Sequence, residues 1–181
     1  MKNKKLNKGF SLLELLVVIL IIGVIAAIAL PQYQKAVWKS RAANLYTQIV
    51  PIGSAIQRYY MVHNTWVTDF NDIDIDIPIE STTGTKCVMD FGGYSLKEGE
   101  GFALKIQGPP TGAAAYALFT KGPYRCAGFG YYPPHDITGS KLFCVEIIYQ
   151  GNFHGQRGDF CEKVMGYSYL KTSGQIDWFT K

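Results

Sequence analysis

One carboxylate, that of Glu14, interrupts an otherwise apolar run that extends from residue 10 to residue 30. At about 1.5 Å of rise per residue, a helix of this length spans about 31 Å, close to the roughly 30 Å hydrocarbon core of a bilayer. A charged side chain costs about 2.5–3.5 kcal/mol near the centre of the membrane and less toward its edge. The sequence therefore predicts a membrane helix whose acid is either tolerated at the interface or paired with a cation.

A second group of carboxylates could bind calcium. The aspartates of this group alternate with isoleucines in the segment after the helix and are Asp69, Asp72, Asp74 and Asp76. Counted from Asp72, however, the sixth place of a calcium loop is Ile77 rather than Gly, and the twelfth is Thr83 rather than Glu. Alternation of Ile and Asp is equally typical of a half-buried strand. The segment 64–86 is therefore interpreted as a connection between helix and sheet rather than as a calcium site.

The four cysteines all lie in the C-terminal part of the chain, at Cys87, Cys126, Cys144 and Cys161. Their spacings match no zinc pattern such as C-x-x-C. An even number of cysteines beyond a membrane helix indicates two disulfides in an oxidising compartment. Four cysteines allow three connectivities, and the spacing does not choose among them.

No motif of a known catalytic class is present, neither G-x-S-x-G, H-E-x-x-H, a P-loop nor G-x-G-x-x-G. The histidines are scattered and have no metal-ligand spacing; they are His63, His135 and His154. We therefore expect no enzyme, no cofactor and no metal.

The net charge of +4 comes from four lysines before Gly9, and without them the chain carries 14 basic and 14 acidic residues. This balance excludes the basic footprint of a nucleic-acid-binding protein. Lysines concentrated before the apolar run also place the N-terminus in the cytoplasm by the positive-inside rule.

After residue 30 the pattern becomes amphipathic. An apolar stripe recurs at spacings of three and four residues, through Trp38, Ala42, Leu45, Ile49, Ile52, Ile56 and Tyr59. This pattern predicts one helix from residue 10 to about residue 63, whose second half packs on a sheet. Pro31 and Pro51 each remove a helical hydrogen bond and are expected to kink the helix, and Gly23 is a weak point in its apolar half.

Beyond residue 87, short apolar segments alternate with Gly/Pro turns. The best strand candidates are residues 87–91, 102–107, 115–120, 142–150 and 175–179. Tyr131-Tyr132-Pro133-Pro134 and residues 151–158 are expected to be exposed loops. The prediction is an α+β domain with an antiparallel sheet of four or five strands, against which the amphipathic helix packs.

The stretch Gly9-Phe10-Ser11-Leu12-Leu13-Glu14, followed by an apolar helix, resembles the class III signal of type IV pilins and type II secretion pseudopilins. The resemblance extends to about Arg41 and includes Gly23, Pro31 and the Tyr33-Gln34 pair. It implies a pilin-like, ladle-shaped fold in which a long N-terminal helix is packed on a C-terminal antiparallel sheet.

The resemblance also implies a processing route. A membrane peptidase that is also a methyltransferase would cut after Gly9 and methylate the new amine of Phe10. Glu14 would attract the positive terminal amine of a neighbouring subunit, and the segment from Gly23 to Pro31 would loosen when the helix packs into a filament. The partners would be other pilins and the assembly machinery of the inner membrane.

For the cysteines, the resemblance implies a C-terminal loop closed by Cys144–Cys161, which leaves Cys87–Cys126. The C-terminal calcium site of major pseudopilins would have Asp159 and Glu162 as its nearest counterparts here.

The expected domains are a leader at 1–9, a transmembrane and filament-core helix at 10–30, its amphipathic extension at 31–63 and a β-rich head at 64–181. The expected function is a pilus subunit, held in the inner membrane with its head in the periplasm and then extruded into the filament. The alternatives are a type II secretion pseudopilin and, from another class, a single-pass anchored binding module.

Overall fold

The computed structural model describes residues 10–79, 87, 94–108, 114–132, 142–148 and 155–181. The chain divides into two compact units, Met1–Trp38 and Lys39–Lys181. The first unit contains the start of the long helix, and the second contains the rest of that helix and the sheet.

A single helix, α1, extends from Leu12 to His63. Its end agrees with the sequence prediction and is closed by Asn64, whose positive φ of 51° allows its N–H to reach the carbonyl of Tyr60 at 2.8 Å. The helix continues through Pro31 and Pro51. The kink expected at each proline stays a prediction.

The sheet has seven antiparallel strands in the order β1-β2-β3-β4-β5-β7-β6. The strands are β1 Tyr94–Gly99, β2 Phe102–Gln107, β3 Ala114–Phe119, β4 Ala127–Tyr131, β5 Leu142–Ile147, β6 Ser168–Ser173 and β7 Ile176–Thr180. The predicted α+β class and the strands at β2, β3, β5 and β7 are confirmed. The count of four or five strands was too low, and the strand predicted at 87–91 falls outside the described residues except for Cys87.

Each strand that the sequence did not indicate lacks the apolar pattern on which the prediction relied. The strands β1 and β6 are the two edges of the sheet and are rich in polar residues, and every residue of β6 is exposed. The strand β4 contains two glycines, and we had interpreted its last residue, Tyr131, as part of an exposed loop. That interpretation was wrong, because Tyr131 is 5% exposed and packs under α1.

One face of the sheet packs on the second half of α1. The buried helix residues are Ala42, Leu45, Ile49, Ile52, Gly53, Ala55 and Ile56, in close agreement with the predicted stripe. The ring of Tyr46 meets that of Phe129 edge to face at 5.9 Å. The antiparallel register places Leu104, Ala117, Phe129 and Cys144 in one row across this face.

The opposite face of the sheet carries a second core. Its aromatic part is formed by Tyr116, Phe143 and Trp178, against which Tyr132 packs. Gly130 on β4 leaves the space that the Tyr116 ring and Val145 fill on this face. The sheet is therefore buried on both sides, which explains why its central strands are apolar almost throughout.

Gly53 provides a direct test of the packing between helix and sheet. A Cβ atom at this position would overlap the ring of Tyr131. We expect Gly53→Ala to lower the free energy of unfolding of the head by about 1–3 kcal/mol through overpacking, although alanine favours helix. Gly23→Ala is the matched control, since a Cβ there meets nothing within 4 Å. Chemical unfolding of the detergent-solubilised protein measures both; equal effects would contradict this packing.

Candidate functional site

The helix α1 begins with a reciprocal cap between Ser11 and Glu14. The backbone N–H of Ser11 donates to Glu14 Oε2 at 2.9 Å, and the backbone N–H of Glu14 donates to Ser11 Oγ at 3.2 Å. This pairing satisfies two of the N–H groups that a helix leaves open at its N-terminus. The sequence carries the signal for this cap, Ser11-x-x-Glu14 before an apolar run.

The cap has two consequences for the predicted assembly residue. It holds the Glu14 carboxylate at the positive end of the helix dipole, where a negative charge is favoured. A carboxylate has about four lone-pair positions, and the cap occupies one. Glu14 can therefore keep its cap and still receive the amine of another molecule. Gly9, the predicted cleavage residue, lies outside the described residues.

The apolar half of α1 has no packing partner within the described chain. The most apolar window of the helix is wholly unburied and has a mean hydropathy of 3.1. By length and composition this helix could cross a membrane. Phe10, Leu12 and Leu13 are 80%, 88% and 71% exposed. An apolar surface of this extent requires lipid or other protein to cover it.

The aspartate-rich connection contains no calcium-type cluster in its described part. Asp69 caps a short 3-10 helix at Phe70–Asp72 and accepts from the N–H of Asn71. Asp74 forms a two-fold hydrogen-bonded pair with Arg58 of α1, at 2.6 and 2.8 Å, and the Arg58 hydrogen bond lowers the pKa of this carboxyl. The half-buried strand that the Ile/Asp alternation also suggested is absent from residues 73–79.

The remaining candidate ligands do not converge in the described part of the chain. No group of three His, Cys, Asp or Glu side chains is close enough there to hold a metal ion. Asp159 pairs with Lys163 at 2.6 Å, and His63 lies against the ring of Tyr59 at 4.3 Å. His135 and His154 fall outside the described residues.

The cysteines are joined as Cys87–Cys126 and Cys144–Cys161, the pairing that the resemblance implied. The second disulfide closes a loop whose described part, residues 155–161, returns to the sheet beside β5. The first ties Cys87 to the residue immediately before β4, on the face opposite the helix.

A buried glutamate that the sequence analysis overlooked anchors this loop. Glu146 on β5 is fully buried and accepts three backbone N–H groups, from Gly158 at 2.7 Å, Phe160 at 2.9 Å and Cys161 at 2.8 Å. Burial raises the pKa of the Glu146 carboxyl, although the three hydrogen bonds oppose that rise. A lone charged residue in the apolar run of β5 was the signal that could have identified it.

Asp177 on β7 is the register partner of Glu146 and forms the second anchor. It is also fully buried. Its carboxylate accepts one hydrogen bond from Arg157 Nε at 2.9 Å and one from the hydroxyl of Thr172 at 2.5 Å. The guanidinium of Arg157 in turn lies over the ring of Tyr169, 5.1 Å from its centroid. Two buried carboxylates thus hold the disulfide loop to the sheet, and their arrangement indicates a structural role.

Comparison with known proteins supports the N-terminal site. Residues 4–30 match the family model of the prokaryotic N-terminal methylation motif. The chain is 41% identical over 66 residues to the fimbrial protein EcpC of Eikenella corrodens, covering 36% of this chain and 43% of that protein. It is 39% identical over 64 residues to the type IV major pilin protein PilE of Neisseria gonorrhoeae, covering 35% and 38% of the two chains.

A third relative is the type IV major fimbrial protein FimA of Dichelobacter nodosus, 43% identical over 54 residues, which cover 30% of this chain and 35% of FimA. No solved structure matches this chain. The matched segments cover less than half the length of each of these relatives. The type IV pilins are structural proteins, not enzymes. Over its N-terminal third, this chain is similar to type IV pilins and fimbrial proteins and carries their N-terminal methylation motif.

Proposed function

We propose that this protein is a structural subunit of a type IV pilus, cut after Gly9, methylated on the amine of Phe10 and polymerised through α1. The match of residues 4–30 to the methylation motif supports the processing steps. The names of the relatives, which are major pilins and fimbrial proteins, favour a pilus over a secretion pseudopilus.

The observation that carries this proposal is the fully exposed apolar half of α1 with a single acid near its start. In the membrane, lipid covers this surface. In a filament, the helices of neighbouring subunits cover it. A subunit that meets its neighbour through two different faces makes a heterologous contact, which produces an open helix if the rotation does not close a ring.

Glu14 is proposed to select the position of the next subunit. After cleavage, the terminal amine has a pKa near 7.7–8.0 and is largely protonated at neutral pH. In a medium of low dielectric constant, attraction between this amine and a carboxylate is stronger than in water. The pair compensates the charge of Glu14 as the helix leaves the lipid headgroups for the filament core.

The proposed location follows from the same segment. The lysine-rich leader stays in the cytoplasm, α1 crosses the inner membrane, and the head folds in the periplasm, where its cysteines are oxidised. The proposed partners are the peptidase that is also a methyltransferase, the inner-membrane assembly machinery, and further copies of this chain or other pilins.

Intact-mass measurement of the membrane-extracted protein tests the processing steps. We expect a mass that lacks residues 1–9 and carries one additional methyl group, with two disulfides intact. A variant with Gly9→Leu, which replaces the glycine at the proposed cleavage site, is the control and should keep the full-length mass. A full-length mass in the wild type, together with a protein that stays monomeric in membranes, would instead indicate a single-pass anchored binding module.

A further inference from the structure

An apolar groove of about 370 Å³ lies over β2, the strand next to the β1 edge of the sheet. Three elements line it: α1 through Pro51 and Ile52, the residues from Ile75 to Ile79, and β2 through Phe102 and Leu104. Asp76 is the charged residue in this lining, and it is exposed. No hydrogen bond or ion pair joins Asp76 to any other part of the chain that the structure describes. The groove thus combines an apolar floor with one uncompensated negative charge.

The β6 edge, at the other end of the sheet, carries features that are complementary to this groove. The strand β6 has a bulge at Leu170, which pairs with no residue of β7 and is 41% exposed. The next residue, Lys171, is exposed and forms no ion pair within the described residues. An exposed apolar side chain followed by an unpaired cation is what the groove with its Asp76 would accommodate. The bulge also directs Leu170 away from the regular ladder, so that it projects from the edge.

The groove is lined by β2, next to the β1 end of the sheet, and the projection lies on β6 at the other end. A molecule that carries a groove near one end and a matching projection at the other can use its groove on one neighbour and its projection on the next. It makes a heterologous contact that can repeat without closing. This arrangement favours a second copy of the same chain over an unrelated ligand as the occupant of the groove.

We propose that the groove between α1, residues 75–79 and β2 receives Leu170 of a second copy, with Lys171 of that copy paired to Asp76. This proposal rests on the proposed function, because it assigns a contact between heads within the filament. Leu170 displaces water from an apolar cavity, which favours association, and the charge pair fixes its register.

Disulfide trapping in assembled filaments tests the contact. All cysteines of the wild type are already paired, so an engineered pair is unambiguous. In filaments of the variant with both Asp76→Cys and Lys171→Cys, oxidation should join consecutive copies into a ladder of dimers, trimers and longer chains on non-reducing gels. Each single-cysteine variant should remain monomeric. Filaments of the double variant that yield only monomer would overturn the proposed contact.

Charge reversal provides the second measurement. Asp76→Lys and Lys171→Asp should each reduce the yield of sheared filaments by about tenfold, because like charges then face each other. The two together should restore the yield to within about threefold of the wild type. The control Asp72→Lys, at an exposed acid outside the groove lining, should leave the yield unchanged. Normal yield in both single variants would overturn the contact.

Different results would overturn the proposed pilus function and the proposed contact between heads. A wild type that forms no filaments would overturn the pilus function itself. Normal wild-type filaments, together with filaments of the double-cysteine variant that form no ladder, would leave that function standing and remove only this contact. Near-ultraviolet circular dichroism of each variant establishes that its head is folded before either conclusion is drawn.

Discussion

Glu14→Ala is expected to remain in the membrane and to be cut and methylated, yet to be absent from sheared filaments. The substitution leaves the terminal amine of a neighbouring subunit without its partner. Removing one member of a buried ion pair costs about 3–5 kcal/mol, which corresponds to at least about a hundredfold loss in the equilibrium for adding a subunit. Immunoblotting of the sheared fraction against the membrane fraction measures this effect, and a normal filament yield would contradict the assembly role of Glu14.

The cap between Ser11 and Glu14 requires a control, because Glu14→Ala removes both the charge and the cap. Glutamine at the third helical position also completes a cap of this type, so Glu14→Gln keeps the cap and removes only the charge. We expect Glu14→Gln to lose filaments like Glu14→Ala. Ser11→Ala, which removes the capping hydroxyl and keeps the charge, should cost only about 0.5–2 kcal/mol of helix stability.

Glu146→Ala is expected to cause the largest loss of stability in the head. It removes a buried acceptor of three backbone N–H groups, and those groups then lack a partner within the fold. Because a single unsatisfied buried group costs about 1–3 kcal/mol, we expect the free energy of unfolding to fall by about 3–5 kcal/mol. Chemical unfolding of the solubilised protein, with the disulfides intact, measures the change.

Lys163→Ala is the matched control in the same loop. Its ammonium pairs with Asp159 at the surface and its side chain is 67% exposed, so its removal should leave the stability nearly unchanged. Similar losses in the two variants would show that Glu146 does not anchor the loop.

The pH dependence of Glu146→Gln gives an independent measurement. Burial raises the pKa of this carboxyl in the folded protein above its value near 4.3 in the unfolded chain. In the range between these two pKa values the folded state binds more protons, so stability falls as the pH rises. The stability of the wild type relative to Glu146→Gln should therefore decrease as the pH increases from about 4. An increase would mean that the three hydrogen bonds outweigh burial.

The N-terminal third of the chain could be understood from sequence because its determinants are local. The apolar run and the three-four stripe specify α1 through helical periodicity alone, and the helix ends at the predicted His63. The register of Gly9, Phe10 and Glu14 is likewise a matter of adjacent residues, and the match to the methylation motif covers the same segment. The central strands were also predicted, since they are continuously apolar.

Only the tertiary structure decided the features that depend on contacts between residues distant in sequence. The edge strands β1 and β6 are polar and become strands only because an apolar neighbour pairs with them. Glu146 and Asp177 lie side by side only through the pairing of β5 with β7, which also explains why the sequence analysis did not connect them. Tyr131 is buried because Gly53, on another element, leaves room for its ring.

The sequence by itself thus determined the long helix, its charged start, the resemblance of its N-terminal third to type IV pilins and the class of the head. The structure decided the number and order of the strands, the anchoring of the disulfide loop, the groove over β2 and the projection on β6. The reason for this division is physical: helix periodicity and processing motifs act between neighbouring residues, whereas edge pairing, burial of charge and cavities depend on which distant residues meet.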